Sequence, residues 1–372
     1  MEHTELLFFT IIILFFLDNL QSVEKSKMVN ETALCELAQE FQLKLKQTSH
    51  LGSFDIAHSV VLLLRKLVGK VNWINAKQLI ECVKSLGNRI YEENSFEVIT
   101  NMVKRVSKLI KEEYFEAIGT NKEGSSSLQT ILMANNQSCD DLTVAVPALK
   151  SVVIDSINEL ISELETSRSN IALKSSEYIH SNEIIMTYGK SRTVELFLKK
   201  ASLKRRFSVI VAECAPFFHG QELAKSLAEH GIETTVIPDT AVFAIMSRVN
   251  KVIIGAQTVY ADGAIKATNG AESMALAAKH HAVPVIVCSG LFKLTPKFIC
   301  NQDEKSSGDL ASPELSLDLN CKPKDFDFET ISPTFTFIKA DTVNLLITDV
   351  GGNSPSYVYR LVAELYEQDD DF

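Results

Sequence analysis

The residues with the chemistry to act on a small molecule stand just after short apolar runs. They are Tyr188-Gly189-Lys190, Glu213-Cys214-Ala215-Pro216, Asp239, Gln257, Ser289 and Asp349-Val350-Gly351-Gly352-Asn353. If those runs are strands of a parallel sheet, these residues share the carboxyl-end edge where such sheets bind ligands. Cys214 carries the sharpest chemical option, since a thiol at a strand end can act as nucleophile or general acid. It needs a base: Glu213 is its neighbour and points the other way on extended chain, and His219 is the alternative. A packed small apolar residue is the competing reading. His280 and His281 close a helix, where the helix dipole and solvation account for them. The GGNSPS segment can present amides to an anion at a helix start, and a tight strand-to-helix turn explains its glycines equally well.

Several chemistries are excluded. No GxGxxG follows the first strand and no GxxxxGK[ST] occurs, so neither dinucleotide nor P-loop nucleotide binding is supported. The seven cysteines, Cys35, Cys82, Cys139, Cys214, Cys288, Cys300 and Cys321, are scattered, without CxxC or Cys/His pairs. They make no recognisable zinc site or disulfide framework, and reduced cytosolic thiols fit best. A net charge of −10 disfavours nucleic acid overall. The one basic patch, Lys199, Lys200, Lys204, Arg205 and Arg206, sits at a helix end, and a solvated helix end explains it better than RNA binding. The acidic tail Asp369–Asp371 reads as a solubilising terminus.

The elements that must hold these residues fall in two regions. With 46% hydrophobic and 23% charged residues, the chain has the balance of a protein with a real core. Residues 28–180 read as a helical domain. Val60, Val61, Leu62, Leu63, Leu64, Leu67 and Val68 give one apolar face, and Val98, Ile99, Met102, Val103, Val106, Leu109 and Ile110 another. Within it, 119–141 is a polar Gly/Ser-rich loop, and 142–179 is a long helix bridging to the second domain.

Residues 181–372 read as a Rossmann-like domain. Strands are predicted at 183–187, 207–213, 232–238, 251–256, 284–288 and 344–348, and helices at 191–201, 219–230, 239–249, 270–280 and 354–367, with Ser191 as an N-cap. Continuous Val/Ile runs alternating with amphipathic segments mean a mostly parallel, doubly wound sheet. Residues 301–330 are a polar insert. At the amino terminus, Leu6–Leu17 is apolar except for Thr10, too short for a normal membrane span and preceded by Glu2 and Glu5 in place of basic residues. Residues 1–27 read as an upstream extension with Met28 as the working start, and a secretory signal is the rival.

The stretches IIMTYGKSRTVELFLKKA, VIVAECAPFFHGQELAKSLAEHGIETTVIPDTAVFAIMSRVNKVIIGAQTV, ALAAKHHAVPVIVC and GGNSPSYVYRLVAEL resemble the alpha/beta/delta family of eukaryotic translation initiation factor 2B, in its beta-subunit branch. WINAKQLIECV and NMVKRVSKLIKEEY extend the likeness into the helical half, so that it spans about 35–370 and leaves 1–27 without a counterpart. The resemblance implies a regulatory, non-catalytic subunit of the guanine-nucleotide exchange factor for initiation factor 2. Its partners would be the alpha, gamma, delta and epsilon subunits, in a cytosolic heterodecamer, and initiation factor 2 through its alpha subunit, whose phosphorylation the core senses. No cofactor, metal, direct nucleic-acid contact or membrane is implied.

The family is also similar in fold to sugar-phosphate isomerases, which makes an aldose–ketose isomerase the alternative function. Those enzymes pair a cysteine in a Thr-His-Cys-Asn-like turn with an aspartate in a Gly-Ala-Asp turn. Here the turns read Thr187-Tyr188-Gly189-Lys190 and Gly255-Ala256-Gln257, and an arginine expected after the second strand falls near Cys214–Ala215. Glycine and glutamine cannot shuttle protons between adjacent carbons. The family's core-interface or regulatory-ligand groove matches Asn182, Ser208, Ile210 and Thr235, with Ser208 where vertebrate members carry histidine; ordinary interface packing explains each position as well.

Overall fold

The computed structural model describes residues 31–32, 34–45, 52–94, 96–118, 142–146, 148–298, 310–312 and 331–366. The expected extension 1–27, the loop 119–141, nearly all of the insert 301–330 and the acidic tail lie outside the described residues. The described residues divide into two compact units, one up to Ile161 and one from Ser162 onward.

The first unit is helical. Helices α1 (Ser53–Lys70), α2 (Ala76–Asn94) and α3 (Glu97–Ile118) are amphipathic, and α3 packs on both others. In α1 the Asp55 carboxylate accepts the Gly52 amide at 3.1 Å and holds the first turn. Its apolar stripe Val60, Val61, Leu63, Leu64, Leu67 and Val68 is buried, with Leu62 half-buried at its margin. In α3, Val98, Ile99, Met102, Val103, Val106 and Ile110 are buried likewise. Helix α4 (Leu149–Leu173) begins in this unit, where Ser156 donates to Glu113 at 2.6 Å and Arg65 donates to Asn158 at 2.8 Å. It is shorter than the 142–179 expected. Val146 precedes a proline, which disfavours helical backbone there, and after Leu173 the chain turns at Lys174 into the single-turn helix α5 (Ser175–Tyr178).

The second unit is a doubly wound sheet. In chain order it contains β1 (Ile184–Tyr188), α6 (Arg192–Ser202), β2 (Ser208–Ala212), α7 (His219–Glu229), β3 (Glu233–Ile237), α8 (Val242–Met246) and β4 (Lys251–Gly255). There follow β5 (Thr258–Tyr260), β6 (Ile265–Thr268), α9 (Ala271–His280), β7 (Val285–Cys288), β8 (Leu294–Thr295), β9 (Phe335–Ile338), β10 (Leu345–Ile347), β11 (Gly352–Asn353) and α10 (Val358–Leu365). The main sheet runs β11-β10-β7-β4-β1-β2-β3, parallel except for β11. The strand order reverses between β1 and β4, which puts the switch point at their carboxyl ends.

Helices α6 and α7 cover one face through Val194, Phe197, Leu198, Leu223 and Leu227. Helices α8, α9 and α10 cover the other through Met246, Met274, Val358 and Leu361. Ser191 caps α6 as its position suggested, its hydroxyl accepting the Val194 amide at 3.5 Å. The helix expected over 239–249 shrinks to a 3-10 turn at Asp239–Ala241 and the short α8, and the last helix starts at Val358 after a 3-10 turn opened by Pro355.

One feature was not expected from sequence. A second sheet, β8-β5-β6-β9, stands beside the first, built on a β5–β6 hairpin and the antiparallel pairing of β6 with β9. Val259, Ile265, Leu294 and Ile338 from this sheet join the core on the α9 side.

Candidate functional site

The loops after β1, β2, β4 and β7 meet at the switch point, and one aromatic ring dominates it. Tyr188, the last residue of β1, is 8% exposed. Its phenol lies against Gly270, the N-cap of α9 at φ +94°: a β-carbon there would sit 2.5 Å from the Tyr188 Cζ and closer still to the hydroxyl oxygen. Only glycine admits both that backbone and that ring. Burial, followed by the Cys214 and Asp239 charges, drives the Tyr188 pKa up, so the phenol stays neutral.

Asp239, just past β3, organises the neighbouring loop. Its carboxylate accepts the amides of Cys214 at 3.0 Å and Ala215 at 2.8 Å. Those two bonds hold Cys214 at φ +60°, a left-handed conformation that a non-glycine residue adopts only under constraint. Burial first, then the Asp239 charge, pushes the Cys214 thiol up to about 11, with the Tyr188 hydrogen bond opposing. A thiol so raised is not a nucleophile at neutral pH. His219, the base considered for it, stacks on Phe217 with ring centres 5.6 Å apart and has no hydrogen bond to Cys214 among the described residues. Of the two readings of Cys214, packing is the one the geometry supports.

Gly189 has φ +60°, and a β-carbon on it would lie 3.5 Å from the Cys214 sulfur. The turn that would carry the isomerase cysteine is thus packed against a different, inert cysteine. Gln257 holds the end of β4 through its backbone, donating to the Lys266 carbonyl at 2.8 Å. Asp262 is engaged in the β5–β6 turn, where it accepts the Ala264 amide at 3.0 Å.

Sequence reasoning missed the basic side of the crevice. Lys293 donates to the Ala256 carbonyl at 2.7 Å, and burial, followed by the Arg168 and Arg192 charges, pulls its pKa down to about 8. Three cations from three elements therefore come close enough beside β4 to act on one another. Nothing in their spacing announced this; the only signal was a lysine following the β7 run. On the other side, burial raises the Asp349 carboxyl, opposed by the Ser167 hydroxyl. Among the described residues no group of three or more His, Cys, Asp or Glu could hold a metal ion.

The four groove residues lie elsewhere: Asn182 just before β1, Ser208 at the start of β2, and Ile210 and Thr235 at the middle of β2 and β3. Ser208 opens β2, half-buried, and Ile210 lies on the same face, half-buried against the core on the α9 side. Ile210 pairs with the exposed Thr235 on the edge strand β3. Asn182, at φ +65°, donates its amide to the Arg206 carbonyl at 2.7 Å, while the Ser208 amide donates to the Glu183 carbonyl at 3.0 Å. Ser208, Ile210 and Thr235 thus form one thinly covered stretch of sheet surface beside Asn182.

The model of the initiation factor 2 subunit family matches residues 49–355. The chain belongs to this family. It is 40% identical to translation initiation factor eIF2B subunit beta of Dictyostelium discoideum, covering 89% of this chain and 95% of that protein. It superposes with TM-score 0.70 and 28% identity on a chain of the crystallised tetrameric eIF2B-beta2-delta2 complex from C. thermophilum, covering 92% of this chain and 98% of that one. Ribose 1,5-bisphosphate isomerase of Archaeoglobus fulgidus is 30% identical over a smaller part, 59% of this chain and 69% of the enzyme. The family-wide likeness runs through both units, whereas the isomerase likeness covers a smaller share of the chain. No helix among the described residues is long and apolar enough to cross a membrane.

Proposed function

We propose that this chain is a regulatory, non-catalytic subunit of the cytosolic guanine-nucleotide exchange factor for initiation factor 2. The observation that carries the proposal is the near-full-length likeness to an eIF2B beta subunit. Delta-type subunits are its direct partners, as a beta–delta tetramer is the assembly of the solved relative. Alpha, gamma and epsilon subunits complete a heterodecamer, which binds initiation factor 2 through its alpha subunit and responds to phosphorylation there. The gamma and epsilon chains carry the exchange activity.

The switch point supports a role without chemistry. Its thiol stays protonated, its phenol stays neutral, and Tyr188 fills the space before α9. Proton transfer between adjacent carbons needs a group that exchanges protons near neutral pH, facing an open substrate position. The surface of Asn182, Ser208, Ile210 and Thr235 serves assembly, as core interface or regulatory-ligand groove. The test is release of labelled GDP from initiation factor 2, measured with this chain alone, with gamma and epsilon, and with all five subunits. Stimulation and sensitivity to phosphorylated alpha subunit are expected only when this chain completes the assembly. Unchanged exchange and phospho-sensitivity when it is omitted would remove the proposal.

A further inference from the structure

The basic patch at the end of α6 resolves into two kinds of residue. Lys199 is committed inside the fold: its ammonium bonds Glu195 at 2.8 Å and Ser226 at 2.7 Å. Lys200, Lys204, Arg205 and Arg206 are all exposed, and none of their side chains has a hydrogen-bond or ion-pair partner among the described residues. Neighbouring cations are matched, Lys190 by Glu222 at 2.8 Å and Lys251 by Glu183 at 2.8 Å. Three unmatched positive charges in one turn, with Lys200 on the helix before it, stand out in a chain of net charge −10.

Ordinary helix-end electrostatics explain only part of the cluster. The dipole favours cations within the last turn, which covers Lys199 and Lys200. Helix α6 ends at Ser202, so Arg205 and Arg206 lie past its reach. The turn is also held in place. Its Lys204 and Arg205 amides both bond the Ala201 carbonyl at 3.0 Å, and its Arg206 carbonyl receives the Asn182 amide. The fixed backbone spares the turn its own ordering cost when the side chains pair, and guanidinium groups match carboxylates in two-pronged geometry. Leu203, 68% exposed, adds an apolar contact among them.

We infer that the turn Leu203–Arg206, with Lys200, is a docking point for an acidic polypeptide segment of a partner protein. Its size favours peptide over RNA. Three consecutive residues span at most about 10 Å, and the one aromatic ring of this stretch, Phe207, is 8% exposed and offers no stacking platform. The surface adjoins Asn182 and Ser208, so an acidic segment bound here would lie beside the groove residues.

The test uses the full chain and a labelled peptide of eight glutamates around one leucine, followed by fluorescence anisotropy at increasing salt. Arg205→Ala/Arg206→Ala should weaken binding about tenfold and flatten its salt dependence. Lys70→Ala/Lys339→Ala, which removes two exposed lysines elsewhere, should leave binding unchanged. An unchanged thermal midpoint in both variants confirms that they fold. The inference is overturned by equal affinity of the two double variants, by absence of peptide binding to the unaltered chain, or by tighter binding of an oligouridine of equal charge. Because the assay omits every other subunit, its failure would leave the proposed exchange-factor role standing.

Discussion

Filling of the switch point by Tyr188 can be tested by a double-mutant cycle with Gly270. In Gly270→Ala the new β-carbon meets the Tyr188 ring, 2.5 Å from Cζ, on backbone at φ +94°. The backbone conformation alone costs about 1–2 kcal/mol for an L-residue. Displacing the ring from a packed site adds about 1–3 kcal/mol, so the single substitution should cost about 2–5 kcal/mol. Tyr188→Ala removes a ring that is 8% exposed and should cost about 3–5 kcal/mol as a large-to-small change. In the double variant the collision has no partner, and the alanine adds only its backbone cost. The coupling is therefore about 1–3 kcal/mol and favours the double variant. Urea unfolding followed by far-UV circular dichroism reads global stability, and alkylation of Cys214, which hydrogen-bonds the Tyr188 side chain, reads the site itself. Additivity within about 0.5 kcal/mol would refute the packing argument.

Four further outcomes follow from the same geometry. At pH 8 the Cys214 thiol, with its pKa raised to about 11, should react with iodoacetamide about two orders of magnitude more slowly than a free thiol. Its raised pKa keeps the proton on the folded form, so the contribution of Cys214 to stability is full below the unfolded thiol pKa and is lost as pH rises towards 11; chemical unfolding at pH 8 and pH 10 checks the direction. Lys251→Met should destabilise by about 2–3 kcal/mol, because it leaves the Glu183 carboxylate and the Tyr178 carbonyl without their cation, and Lys251→Met/Glu183→Gln should recover part of that loss in the same unfolding assay. Neither the native chain nor Gly189→Cys/Gln257→Asp should interconvert ribose 1,5-bisphosphate in a coupled assay, since Tyr188 still fills the crevice; turnover by either would revive the isomerase alternative.

The parallel sheet was legible because β1, β2, β4 and β7 are buried on both faces, which requires continuous runs of Val, Ile and Met. Ser191 was legible because a cap is a local bond between neighbours in sequence. The second sheet was not. Its strands are short, β6 carries Lys266, and its partner β9 lies far along the chain, so neither local period nor composition marks it. At the switch point the sequence marked the right loops, since strand ends are read from the strands. It did not show that Tyr188 turns onto Gly270, or that Asp239 holds the Cys214 loop, because both depend on contacts between distant elements. Lys293, Arg168 and Arg192 were hidden for the same reason: each stands alone in its own segment, and only folding brings their charges together.

The most direct test of the account is native mass spectrometry of the chain co-expressed with a delta-type subunit of the same organism. A stoichiometric complex is expected, disrupted by Thr235→Arg at the exposed edge strand while the thermal midpoint of the isolated chain is unchanged. A chain that remains by itself at every concentration, in the presence of a folded delta-type partner, would contradict the reading of this protein as an assembly subunit.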